Sequence, residues 1–259
     1  MSKTFDRASA AVMTCALLGL CTPVLAEDVS EVTAGGNLGL YSQYIFRGMT
    51  QTAHKPALQG GVEFSHPSGV YAGLWGSNVS WLQDYQGYRT GSLELDTYGG
   101  WHGNTGNGFS YDLGVIRYNY PGERPTGVVA ADTNEIYAGG GWGWLTATLY
   151  YSLGDTFGFA TPAGSTYFDI SASIPLADTG LSAALHWGRQ RFRGDARAFG
   201  YEDWKLALSY DLGRSGALWK GMSVGVQYTG TNADHALWTD RNGIEMGRSR
   251  ATVWIARSF

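Results

Sequence analysis

Cysteine is almost missing. The 259 residues hold two, Cys15 and Cys21, and both fall in the first 26. That stretch, MSKTFDRASAAVMTCALLGLCTPVLA, sets Lys3 and Arg7 ahead of an apolar segment running from about Ala8 to Leu20. The segment is too short to cross a bilayer, and Val24 and Ala26 stand three and one positions before Glu27, so residues 1–26 read as a secretory signal peptide cleaved after Ala26. Leu20 before Cys21 and Thr14 before Cys15 are not the small residues that lipid attachment requires. The remaining chain, 27–259, then has no thiol. This excludes a disulfide scaffold, a thiolate metal site and a cysteine nucleophile.

Other absences narrow the field further. Proline is scarce, at 7 residues, and no apolar run after residue 26 approaches the ~20 residues of a membrane helix. Of 18 basic and 22 acidic residues, Lys3, Arg7 and Asp6 leave with the leader, so 16 and 21 remain with no polybasic run. Nothing there offers nucleic acid a surface. His66, His102 and His235 lack metal-ligand spacing, and GNTGNG (103–108) lacks the lysine and helix of a phosphate loop and reads as a turn. No nucleotide, haem or flavin motif is present, so neither cofactor nor metal is expected.

Glycine, by contrast, is abundant at 38 residues, about twice the usual share. Aromatics make up 14%, dominated by 16 Tyr and 10 Trp. An exported chain of this kind is either a soluble all-β domain or a transmembrane β-barrel, and alternation separates the two. NLGLYSQYIFR (37–47) and ALQGGVEFS (57–65) alternate with period two, as do 70–79, 92–102, 109–120, 133–142, 144–152, 167–174, 181–188, 203–211, 222–230 and 248–259. About twelve strands of about ten residues suit tilted membrane strands better than the ~5–6 residues usual in soluble sandwiches. The links agree. Those at 66–69, 103–108, 141–143 and 175–180 are short, whereas 80–91, 121–132, 153–166, 189–202 and 231–247 are long and polar. The expectation is an all-β, antiparallel, up-and-down transmembrane barrel spanning 27–259, with short periplasmic turns and longer extracellular loops, in the bacterial outer membrane of a Gram-negative cell. The register of 70–79 stays open: either Tyr71 and Trp75 or Ala72 and Leu74 face outward. Trp101, Trp142, Trp144 and Trp219 near the short turns and Trp81, Trp187 and Trp238 near the long loops suggest two interfacial girdles. The chain ends on RATVWIARSF, an alternating strand closed by Phe259. It resembles the signal read by the barrel-assembly machinery, with Arg257 a departure from the apolar residue preferred there.

NLGLYSQYIFRGMTQT, followed by PALQGGVEFSHPSGVYAGLWGSNV, resembles the opening of the TorF-type family of outer-membrane porins. The resemblance continues through DLGVIRYNYPG, NEIYAG and YEDWKLALSY over most of the mature chain. It implies the barrel fold and brings no substrate and no catalytic residue.

The inward set of such a barrel carries the chemistry. Arg47, Glu63, Glu94, Asp96, His102, Asp112, Glu135, Asp169, His186, Asp203, Lys205, Arg248 and Arg250 all take inward parity, which implies a wetted lumen. Eight are candidates to line a pore: Arg47, Glu63, Glu94, Asp96, Glu135, Asp169, Arg248 and Arg250. Arg47, Arg248 and Arg250 sit at the upper ends of the first and last strands, and Glu94, Asp96, Glu135 and Asp169 further round the wall. A basic wall facing an acidic one sets a transverse field across a narrow diffusion channel for small polar or charged solutes, with weak cation preference from the excess of acids. Two other readings stand beside it: a closed barrel with a structural or surface-interaction role, held by the same charges as internal ion pairs, and an outer-membrane hydrolase. For the hydrolase, a register that sets Ile174 opposite Leu181 places Asp169 across from His186 with Ser171 diagonal to it. No nucleophile elbow or oxyanion device accompanies the three, and they point inward, so no enzyme is expected.

Overall fold

The computed structural model describes residues 31–259; the expected signal peptide, 1–26, and its expected cleavage before Glu27 lie outside the described residues. Its strands are β1 (Thr33–Tyr41), β2 (Ile45–Phe46), β3 (Met49–Thr50), β4 (Ala57–Ser65), β5 (Val70–Asn78), β6 (Leu93–Asn104) and β7 (Phe109–Asn119). They continue as β8 (Thr133–Trp142), β9 (Leu145–Ser152), β10 (Thr166–Pro175), β11 (Leu181–Arg191), β12 (Tyr201–Asp211), β13 (Met222–Thr231) and β14 (Arg250–Ser258). Twelve of these close into one antiparallel barrel in which β1 pairs with β4 on one side and β14 on the other, while β2 and β3 form a separate two-stranded hairpin.

The closing seam sets Leu40 opposite Ile255 and Asn37 opposite Ser258. Phe259 extends it: its N–H donates to the Gly36 carbonyl at 3.0 Å and its carbonyl accepts from the Gly36 N–H at 2.8 Å. Closure leaves neither end strand with a free edge.

Alternation gives each strand an apolar outer face. Leu38, Leu58, Leu74, Val115, Leu206 and Val253 are all more than half exposed. The belt continues round the barrel, well beyond the few hundred Å² of apolar patch a soluble monomer shows. Each such side chain gains about 1.5–3 kcal/mol on leaving water, so the outer wall is built for hydrocarbon. Trp101, Trp142, Trp144 and Trp219 stand exposed near the short-turn rim, and Trp187 lies outward toward the other. Trp81 and Trp238 differ from the girdle expectation. They are buried, because the long loops fold over the barrel mouth and take these rings inside.

Glycine and aromatics are abundant for one shared reason. Gly73 lies opposite Tyr98 and Gly100 opposite Tyr71; Gly114 lies opposite Tyr137 and Gly225 opposite Trp254. A Cβ at any of the four would run into the facing ring, so the missing side chain is the seat of the aromatic. This also settles the register of β5: Tyr71 and Trp75 are inward and buried, Ala72 and Leu74 outward. The tyrosines fill the lumen on the β5–β8 side. The β9–β13 side presents Thr146, Thr148, Ser171, Ser182, Ala207 and Ser209, and the free space lies against that wall.

Candidate functional site

Alternation through 37–47 predicts a single strand, but the wall strand stops at Tyr41 and the chain turns into the lumen. Residues Phe46 and Met49 pair across a two-residue turn. Both turn residues have positive φ, 46° at Arg47 and 79° at Gly48, as a type I′ hairpin requires. Gly48 meets that demand freely, and its missing Cβ would touch Asp203 and Thr231 on β12 and β13. Arg47 does not. A non-glycine residue there carries about 1–2 kcal/mol of strain, which persists only if its surroundings over-determine it.

They do. The Arg47 guanidinium sits 2.6 Å from Glu135 Oε2, with the two side chains 5% and 0% exposed. It also donates to Glu135 Oε1 at 3.2 Å and Gln190 Oε1 at 2.9 Å, and lies 4.3 Å and 5.0 Å from the ring centres of Tyr167 and Tyr150. Arg47 is therefore not part of a basic wall facing an acidic one across a gap. It crosses the lumen on a hairpin and pairs in contact with Glu135. Further back, the hairpin is tied to the long loops: the Thr50 N–H donates to the Met246 carbonyl at 2.9 Å and the Ser80 N–H to the Gln51 carbonyl at 2.8 Å.

Beside the tip lies a second charged cluster. His186 Nδ1 is 2.8 Å from Asp169 and Nε2 is 2.8 Å from Asp203. With carboxylates at both nitrogens, the ring donates twice and carries a positive charge. Ser171 donates to Asp169 at 2.9 Å and the Tyr167 hydroxyl to Asp203 at 3.0 Å. The register is two residues from the one expected: Ile174 faces Ala183, Ser171 faces His186 and Asp169 faces Gly188. The reason is a tighter turn: the ladder continues through Pro175 opposite Ser182 and the Leu176 N–H donates to the Leu181 carbonyl, so only residues 177–180 lie between the strands. Lys205 lies next to this cluster, opposite His186 on one side and Thr229 on the other.

Two cavities flank the hairpin tip. The larger, about 240 Å³, reaches from Arg47, His186, Asp203 and Lys205 down the β9–β13 wall to Trp144 at the short-turn rim. The smaller, about 40 Å³, lies between the hairpin and a lid of loop aromatics, among them Trp81, Phe192 and Trp238. Trp238 organises that lid, stacking on Tyr85 at 5.5 Å and meeting Phe159, Phe199 and Tyr201 at 5.5–5.8 Å.

Residues 25–259 match the sequence profile of a family described as bacterial protein of unknown function (Gcw_chp). The chain belongs to that family. A search of curated proteins by sequence finds no match. Among solved structures it resembles the NanC porin at 10% identity and TM-score 0.51, over 88% of this chain and 99% of that one. It also resembles the KdgM porin at 9% identity and TM-score 0.50, over 87% and 99%. A KdgM porin in complex with disordered oligogalacturonate gives 10% identity and TM-score 0.50 over the same shares. At such identities the likeness establishes the fold: a closed twelve-stranded barrel of outer-membrane porin type.

Within this Gcw_chp barrel, the eight candidate residues separate into four groups. Arg47 and Asp169 border the larger cavity. Glu94, Asp96 and Glu135 face inward but are buried behind the hairpin and border neither cavity; Glu94 accepts from the Tyr44 hydroxyl at 3.0 Å. Glu63 stands lower, accepting from Tyr98 at 3.2 Å. Arg248 and Arg250 are exposed at the upper rim, near His54 and away from the cavity. The expected acidic wall of Glu94, Asp96 and Glu135 is thus sealed off, because the hairpin occupies the space they would have faced. Gln190, Tyr167, His186 and Lys205 join the site instead. The sequence signal for the hairpin was the pair Arg47-Gly48, a turn dipeptide inside an otherwise alternating run.

Proposed function

We propose that this chain is an outer-membrane channel for small polar or charged solutes, closed at rest by the β2–β3 hairpin. The observation that carries the reading is that Phe46 and Arg47 border both cavities, so the hairpin tip divides a single eccentric path along the β9–β13 wall. The apolar belt, the porin fold and the TorF-type resemblance support placement among outer-membrane lipids, and Phe259 at the closing seam supports assembly by the barrel-assembly machinery. The count over the whole inward set favours cations. A solute, however, meets the groups that border the cavity, and these are Arg47, His186 and Lys205 against Asp169 and Asp203, with both carboxylates tied to His186. The Ser171–His186–Asp169 group supports no hydrolase: a ring donating from both nitrogens has no lone pair to take the serine proton.

A closed structural barrel is the second reading, favoured by the depth of the Arg47–Glu135 pair and by the aromatic lid. Planar-bilayer recording separates the two. A channel shows discrete openings whose frequency rises in Arg47→Ala. A barrel that never conducts, in wild type or in Arg47→Ala folded to the same extent, overturns the channel reading.

A further inference from the structure

The charges at the larger cavity cancel. Arg47 is matched by Glu135. Asp169 and Asp203 are matched by His186, which touches both, and by Lys205, on which both act. Three cations thus stand against three carboxylates, gathered beside the hairpin tip. A charged solute finds no unmatched partner there, and taking its charge out of water without one is costly.

The rest of the cavity lining carries no charge. Thr148, Ser173, Gln227 and Thr229 border it, and no hydrogen bond joins their side chains to any described residue. These groups can both donate and accept. Tyr41 and Trp254, which also border the cavity, face each other across the closing seam, with ring centres 6.2 Å apart and planes 18° off parallel. Tyr41 lies over Gly39 and Trp254 over Gly225, where a Cβ would run into either ring. Each ring is therefore laid down along the wall, and the two make one flat floor with its free face to the cavity.

The face of an aromatic ring is negative and draws polarised C–H bonds, whereas free hydroxyls and amides draw hydroxyls. A pyranose offers both, C–H bonds on its faces and hydroxyls round its edge. The volume, about 240 Å³, is smaller than the ~300–1,000 Å³ of drug-sized sites, which suits one sugar ring rather than a chain of them. We propose that the larger cavity binds a neutral monosaccharide, with a C–H face on the Tyr41–Trp254 floor and its hydroxyls on the free side chains of the β9–β13 wall. The site rests on the channel reading and names the class of solute that path takes.

Glucose, glucuronate and glucosamine share the pyranose ring and differ in charge: none, carboxylate and ammonium. Saturation-transfer NMR reads their binding to the barrel folded in micelles of a detergent without a sugar headgroup. The cavity reaches the short-turn rim at Trp144, so binding does not wait on release of the hairpin. Glucose is expected to give saturable transfer, and both charged sugars to bind about tenfold more weakly or worse. Trp254→Ala should weaken glucose by about tenfold, and Trp254→Phe should keep most of the binding. Equal or stronger transfer to either charged sugar overturns the site, as does glucose binding unchanged in a folded Trp254→Ala or absent from the wild type. If Trp254→Ala does not fold, the wild-type sugar series alone decides. Bilayer recording in parallel keeps the two proposals apart. Glucose binding without conductance sinks the channel and leaves the site; conductance without a preference for the neutral sugar does the reverse.

Discussion

Replacing Arg47 by alanine removes the group that holds the hairpin tip to the far wall. Glu135, 0% exposed in its side chain, then keeps a buried charge with no guanidinium against it. Breaking a buried pair in this way costs about 3–5 kcal/mol. Loss of the bond to Gln190 and of the contacts with Tyr150 and Tyr167 adds to this, and these terms share one side chain and do not sum freely. The twelve-strand ladder does not pass through Arg47, so the cost falls on local release of the hairpin rather than on the barrel. At 1.4 kcal/mol per decade, the released population rises by about a hundred- to several-thousand-fold. Hydrogen exchange reads this directly at two amides, Thr50 N–H bonded to Met246 and Gln51 N–H bonded to Tyr44. Both should lose protection by at least a hundredfold in Arg47→Ala while amides of β6 and β7 keep theirs. Glu135→Gln should release the hairpin less than Arg47→Ala does, since the guanidinium keeps Gln190 and its aromatic faces. Thr50 and Gln51 amides within tenfold of wild type in Arg47→Ala would falsify the claim that this pair latches the hairpin.

The hairpin turn itself gives a second test: Gly48→Ala puts a methyl at φ 79° against Asp203 and Thr231, and should deprotect the same two amides while Arg47 stays in place. His186→Gln leaves Asp169 and Asp203 without their shared cation and should lower urea stability by about 3 kcal/mol or more; ester hydrolysis present in the wild type and abolished by this change would revive the enzyme reading. His54, in the loop between β3 and β4, donates from Nδ1 to Gln43 at 2.8 Å. Burial first, then Arg250, opposed by Asp240 and aided by a smaller push from Arg248, hold its imidazole below the usual 6.5. A depressed value in the folded state means stability is present above pH 6.5 and lost as pH falls below it, so exchange at Thr50 should quicken on acidification and His54→Gln should flatten that dependence. Deleting Phe259 removes both hydrogen bonds to Gly36 and should reduce the heat-modifiable folded fraction in the outer-membrane preparation; wild-type yield without it would end the assembly-signal reading.

The wall strands were legible because each is long, alternating and bounded by turn residues, and membrane burial of one face makes a slip of one residue costly. The first strand shows the limit. Gln43, Ile45 and Arg47 continue the alternation set by Asn37, Gly39 and Tyr41, yet the chain leaves the wall at Ser42, and a hairpin inside the lumen has the same period as a strand in the wall. Parity told which charges face inward but not which of them reach the cavity. That depends on an inserted element standing between Glu135 and the space, and no local pattern encodes it. For β5 the deciding contact was Tyr71 over Gly100, a cross-strand pair visible only once the register is known. The strand register around Asp169 and His186 differed by two residues for a related reason, since turn length sets register and the turn after β10 is tighter than the expected 175–180 link; the two side chains still meet, at 2.8 Å.

The energetics of the tip bear on whether the closed state is a seal or a gate. A residue at positive φ costs about 1–2 kcal/mol at Arg47, and the hairpin pairs through only two strand residues on each side, too few to hold its shape alone. Closure is therefore sustained by contacts at the tip and at the loop ties, chiefly the buried pair at about 3–5 kcal/mol. The difference is a few kcal/mol, the range in which a minor released state stays accessible. A structural plug has no need of strain at its contact point: Asn-Gly would make the same turn at lower cost. The strained arginine is explained if the tip must be held by a group that can let go.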